Sequence, residues 1–154
     1  MSNKNFVVKN GLTVGNYNVV DNNGNLTPTS IIFADGTSMS STTSLIGPKV
    51  NSIVSASTIT PTANTSDEYT VTGLSQTATI TAPSGTPRSG QKLILRIKDN
   101  GASQSLVWST SSGGYRIIGV NLPTVTSPGK VSYIGCIYNS DDTYWDVVAV
   151  TTQS

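Results

Sequence analysis

The sequence predicts an all-β protein, and three observations carry the prediction. Thr, Val, Ile and Tyr dominate and suit a pleated, half-buried surface, while helix formers are sparse and Glu occurs once, at Glu68. Asn-Gly and Asp-Gly pairs, which tolerate the positive φ of tight turns, punctuate the first third. From Ser57 onward, short apolar runs alternate with turn residues about every 8–12 positions, the pattern of a β-sandwich of jelly-roll type. Only 11% of residues are charged and 36% are hydrophobic, so the chain is expected to fold, with Ser, Thr and Asn supplying solubility.

Residues 1–45 hold four short runs, "NFVV", "LTV", "YNVV" and "IIF", separated by Asn10-Gly11, Gly15-Asn16, Asn23-Gly24 and Asp35-Gly36. Each run is too short to bury a face, and an isolated hairpin is marginal in water. The segment therefore reads as an anchoring shaft that needs a partner, either the rest of the chain or other copies of it. Residues 46–57 read as a neck. Leu45, Ile46, Val50, Ile53 and Val54 recur at near-helical spacing, which suggests one or two helical turns, and Gly47 with Pro48 limits their length.

Residues 58–154 form the expected head. Its strand candidates begin at "STIT" and continue through "EYTVT", "ATITA", "QKLILRIKD", "QSLVWS", "YRIIGV", "KVSYIGCIYN" and "YWDVVAVT". In "QKLILRIKD", Leu93, Leu95 and Ile97 would face inward, and Lys92, Ile94, Arg96 and Lys98 outward. The last two strands are apolar on both faces. Trp145, Val147 and Ala149 would share one side of "YWDVVAV", and Tyr144, Val148 and Val150 the other. A strand apolar on both sides suggests burial against a second body, so Tyr144, Val148, Val150 and Ile134 are candidate subunit contacts.

Chemistry is scarce. Nine Lys and Arg against eight Asp and Glu give a net charge of +1, without the basic excess of a phosphate-driven nucleic-acid binder. No histidine occurs, which removes Ser-His and Cys-His pairs and most zinc or iron sites. The single cysteine, Cys136, allows no intrachain disulfide and sits in an apolar run as an expected inert thiol. "GTPRSGQK", Gly85–Lys92, superficially resembles a phosphate loop, but a strand rather than a helix follows it. The paired acids Asp67-Glu68 and Asp141-Asp142 read as solvated turn residues, and no cofactor or metal is expected. Trp108, Arg96 and Lys98 are candidate glycan contacts. The start "MSNKNF" has no signal-peptide core and no run reaches the ~20 apolar residues of a membrane span, so a soluble protein made in a cytoplasm, without membrane insertion, is expected. The sequons at Asn25 and Asn64 then carry little meaning.

One stretch remains, "IIFADGTSMSSTTS" at residues 31–44, where small hydroxyl residues crowd behind an Asp-Gly turn. Its core resembles the "F-x-DGT-x-Q-T-T" element of tail fibres and related virion proteins of tailed bacteriophages. Phe33, Asp35, Gly36 and Thr37 match, and Met39 stands where those proteins usually carry Gln. "NFVVKNGLTVGNYNVVDNNGNL" is similar to the N-terminal segments of such proteins, especially in cyanobacterial phages. The stretches "TITPTANTSDEYTVTGL", "PSGTPRSGQKLILRIKDNG", "GYRIIG-x-x-LP" and "YWDVVAV" resemble a β-sandwich head at the C-termini of phage virion proteins. The resemblance spans most of the chain in short motifs. It implies a homotrimeric, non-enzymatic structural protein of the virion, attached to another virion protein through its N-terminal segment, with a head that projects towards a host-surface glycan. Small hydroxyl residues would then suit a close approach of subunits near a three-fold axis. A capsid-decorating head fibre is the alternative within that class, and a carbohydrate-binding module the alternative outside it.

Overall fold

The computed structural model describes residues 47–154 and, before them, residues 12–14, 17–20, 23, 31–32, 34 and 38–39. The chain divides into two compact units, Met1–Gly47 and Pro48–Ser154. No helix occurs among the described residues, and the fold is all-β.

In the first unit, β1 (Leu12–Val14) pairs antiparallel with β2 (Tyr17–Val20), with Val14 opposite Tyr17. A second antiparallel pair joins β3 (Ile31–Ile32) to β4 (Ser38–Met39). The Asp35-Gly36 pair falls between them in sequence, and β4 takes two residues that the sequence reading assigned to the hydroxyl run. Phe33, Asp35, Gly36 and Thr37, the "NFVV" run and the remaining hydroxyl residues to Ser44 lie outside the described residues.

The second unit contains β5 (Val50–Ile53), β6 (Thr58–Ile59), β7 (Glu68–Leu74), β8 (Ala78–Ile80), β9 (Lys92–Asp99), β10 (Leu106–Trp108), β11 (Tyr115–Ile117), β12 (Val131–Asn139) and β13 (Tyr144–Thr152). All eight strands expected beyond Ser57 are present. The helical turns expected in the neck are not: residues 50–53 pair in parallel with Glu68–Val71 as a strand of the large sheet. Long-range pairing decides their conformation, whereas the apolar spacing reports only which side chains tend inward. The compact unit accordingly begins at Pro48, ten residues before the expected head.

Two sheets result, a mixed one and an all-parallel one. One has six strands in the order β11-β13-β12-β9-β7-β5, the other three in the order β10-β8-β6. The chain alternates between them from β5 to β10, so that β5, β7 and β9 lie parallel in one sheet while β6, β8 and β10 lie parallel in the other. Parallel neighbours need a crossover of about a dozen residues or more, and here each crossover passes through the opposite sheet. The result is a spiral of three coils. It continues as an antiparallel β9-β12-β13 meander, with β11 returning parallel to β13. This departs from the expected jelly roll, whose strands run antiparallel to their neighbours. Strand periodicity is the same in both arrangements, so the sequence did not separate them.

Both sheets supply one apolar cluster, including Ile59 from β6, Ile80 from β8, Leu106 from β10, and Val71, Leu93, Leu95, Ile97, Ile134, Trp145 and Val147 from the large sheet. In β9 the alternation is as expected: Leu93, Leu95 and Ile97 are buried and Ile94 and both lysines are exposed. Each buried Leu or Ile contributes about 1.5–3 kcal/mol relative to exposure. Asp99 ends β9 on the buried side. Its carboxylate accepts hydrogen bonds from Thr126 Oγ1 at 2.6 Å, Gly129 N at 2.6 Å and Gly101 N at 2.9 Å. Burial alone would raise its pKa, but those three donors, with Lys98 nearby, hold the carboxyl below its usual range. Asp99 thus pins the loops that follow β9 and precede β12.

Candidate functional site

The outer face of the six-stranded sheet, turned away from the cluster, is unevenly polar. Its β7 portion carries Glu68, Thr70 and Thr72, as the alternation of "EYTVT" requires, with Thr70 buried and donating its hydroxyl to Glu68 at 3.1 Å. The β9-β12-β13 portion presents apolar groups instead. Ile94 is 41% exposed, Tyr133 41%, Ile137 36% and Val148 47%.

Register brings these residues together. Ile94 stands opposite Gly135, and Gly135 opposite Ala149. A Cβ on Gly135 would lie 3.6 Å from the Ala149 Cβ, so the position has room for a side chain and its glycine leaves a shallow dip. Tyr133 and Ile137 flank the dip on β12. On β9 the adjoining residues are Arg96, opposite Tyr133, and Lys92, opposite Ile137. Arg96 lies 4.0 Å from Glu68, a distance at which an exposed pair contributes little.

A β-bulge gives Val148 its place. Between Gly135 and Cys136 the pairing of β12 with β13 slips, so that Cys136 faces Val147 while Gly135 faces Ala149, and Val148 is left as the extra residue. Beyond it the phase of β13 reverses. Val150, opposite the buried Ile134, turns against the core, and Ala149 is exposed. Strict alternation put Val150 with Val148 and Ala149 with Trp145, and the bulge corrects both assignments.

The candidate contacts therefore divide. Val148 lies on the open face. Tyr144 is half-buried, its ring under the Arg116 guanidinium at 5.3 Å. Val150 turns inward, and Ile134 is 0% exposed within the chain's own core, so it offers nothing to a second subunit. Tyr133, Ile137 and Ile94 belong to the face and were not singled out as contacts. The period-2 alternation of "VSYIGCIY" carried the signal for the first two.

The candidate glycan contacts are not one site. Arg96 and Lys98 point outward from β9. Trp108, on β10 of the other sheet, packs against the core, edge-on to Tyr115 at a centroid distance of 5.2 Å, and donates its Nε1–H to the Pro123 carbonyl at 2.7 Å. A ring so engaged is half-buried rather than a free stacking platform.

At the β11 edge, Arg116 grips Asp146 with two bonds of 2.7 and 3.0 Å and Asp142 with a third of 2.7 Å. The bonds to Asp146 and then Asp142 hold the guanidinium above even its ordinary pKa. Asp142 is thereby committed, and Asp67 accepts the backbone N–H of Lys49 at 2.8 Å. Among the described residues no three His, Cys, Asp or Glu side chains converge as metal ligands would. Cys136 is buried, and burial, with Asp146 nearby, pushes its thiol up to about 12. Compared with protein-family models, curated proteins and solved structures, the chain matches none.

Proposed function

We propose that the chain is a non-enzymatic structural protein of a tailed-phage virion, a small homotrimeric fibre whose N-terminal segment attaches to another virion protein while the 48–154 unit projects. The observation that carries the reading is the exposed apolar group Ile94, Tyr133, Ile137 and Val148, gathered on three adjacent strands. Apolar groups so gathered on the outer face of a sheet mark a surface for association, and a second copy of the chain is the occupant we assign. The motif around Asp35-Gly36 supports the choice of class.

The test is the double substitution Ile94→Lys and Val148→Lys, compared with the unaltered chain by sedimentation. Both side chains are exposed, so the fold should survive and the trimer should dissociate. An oligomer that persists with unchanged mass would remove this face from the interface and leave the proposal without its structural support.

A further inference from the structure

The segment Gly85–Lys92, set aside as a false phosphate loop, forms one wall of a cleft of about 690 Å³. The opposite wall is the stretch from Ala63 to Asp67, with Lys49 at the entrance to β5. The volume is that of a small-molecule site, but the lining is polar and, among the described residues, holds no aromatic one.

Its walls are fixed by their own bonds. Gln91 N donates to Arg88 O at 2.9 Å and Arg88 N to Gln91 Oε1 at 3.1 Å, closing a tight turn. Gly90 N and Tyr138 N bind that turn to β12 in bonds of 2.8 and 2.9 Å. Gln91 Nε2 spans to the facing wall and donates to Ala63 O at 2.5 Å. Asn64 Oδ1 accepts from Thr86 N at 2.9 Å, beside Gly85, whose φ is +101°. A Cβ at Gly85 would stand 2.8 Å from that oxygen, so the close approach requires glycine.

Two cations of this rigid frame, Arg88 and Lys49, form no ion pair among the described residues. The ion pairs among the described residues use Arg96 and Arg116. Arg88 is exposed, and its guanidinium has no partner among the described residues. Lys49 Nζ reaches, among the described residues, only the Asn64 carbonyl, at 3.5 Å. On the same lining Asp67 keeps one oxygen on the Lys49 backbone and, among the described residues, one oxygen open, and Asn64 likewise keeps its amide N–H donors open.

We propose that this cleft binds an acidic oligosaccharide, with Arg88 and Lys49 holding its anionic substituent and Asp67 and Asn64 taking ring hydroxyls. Guanidinium is suited to planar anions through paired N–H donors. The open carboxylate oxygen calls for a hydroxyl donor, which the rings of an oligosaccharide supply beside their anionic group, and the lack of an aromatic wall among the described residues decides against a neutral glycan held by stacking. The site lies within one chain and does not depend on trimer formation.

The experiment is calorimetric titration of the full chain with an oligogalacturonate, a sulfated heparin-derived oligosaccharide, a neutral oligosaccharide of equal length and inorganic phosphate. Binding of one or both acidic oligosaccharides, weakened tenfold or more by Arg88→Ala and abolished by adding Lys49→Ala, is the expected result. The two acidic arms then tell carboxylate from sulfate recognition. Because Arg88 and Lys49 are exposed, the variants should stay folded, and amide shifts at Asn64, Thr86 and Gly90 on titration locate the site independently. Failure of both acidic oligosaccharides to bind would overturn the proposal. So would equal binding of the neutral oligosaccharide or of phosphate, or a loss of binding caused by Arg96→Ala with Lys98→Ala instead.

Discussion

Cys136 lies 2% exposed on β12 with its thiol pushed up to about 12, so it should be inert as a nucleophile at neutral pH. A disulfide-exchange reagent at pH 8 should titrate no thiol in the folded protein and one per chain in denaturant; rapid modification without unfolding would contradict the burial. Asp99 is a different case, a buried charge with its donors in place. Its folded pKa lies below the unfolded value, so its stabilisation is present above the usual carboxylate range and is lost as the pH falls through the lowered value. Asp99→Asn should cost about 1–3 kcal/mol at neutral pH, and the gap from the unaltered protein in urea titrations should narrow with acid below ~4. A gap independent of pH would mean that the charge is not what the three donors recognise. The Tyr115 hydroxyl and Trp145 Nε1 are buried without a hydrogen-bond partner among the described residues. Tyr115→Phe should therefore leave stability unchanged or raise it by about 1 kcal/mol, and a clear loss would reveal a partner for the hydroxyl.

At the scale of elements, the bulge in β13 makes the sharpest prediction. Val150→Asp should cost at least about 2 kcal/mol by placing a carboxylate against the core, whereas Thr151→Asp, on the outer side, should stay within about 0.5 kcal/mol. Strict alternation from Trp145 predicts the reverse order, so equilibrium unfolding of the two variants decides the register. The same strand marks the limit of what could be read from sequence. Every strand from "STIT" onward was legible, because β-branched runs and turn residues are local signals. The inward set of β9 was legible because polar and apolar residues alternate there without interruption. In "YWDVVAV" consecutive apolar residues give no phase, so nothing local reveals where an extra residue enters. Nor does "VNSI" announce a strand; β5 exists through its parallel partner, Glu68–Val71, which lies beyond any local window. The cleft was hidden for a related reason. Lys49, Asn64 and Arg88 are far apart in sequence, and the alternation of the chain between two sheets brings them together.

For the molecule as a whole, three parallel coils continued by an antiparallel meander explain why the apolar outer face lies where it does. The parallel strand β7 is polar outward, and the group formed by Ile94, Tyr133, Ile137 and Val148 collects where the sheet turns antiparallel. Isolated from the polar half, this group is the surface that the proposed trimer would share. The central claim is that copies of the chain assemble through this face. The most direct measurement is the native mass of the purified chain by light scattering across a range of concentrations. The account predicts a stable species of about 48 kDa, three times the 16.1 kDa protomer. A folded monomer of 16.1 kDa at every concentration would contradict it.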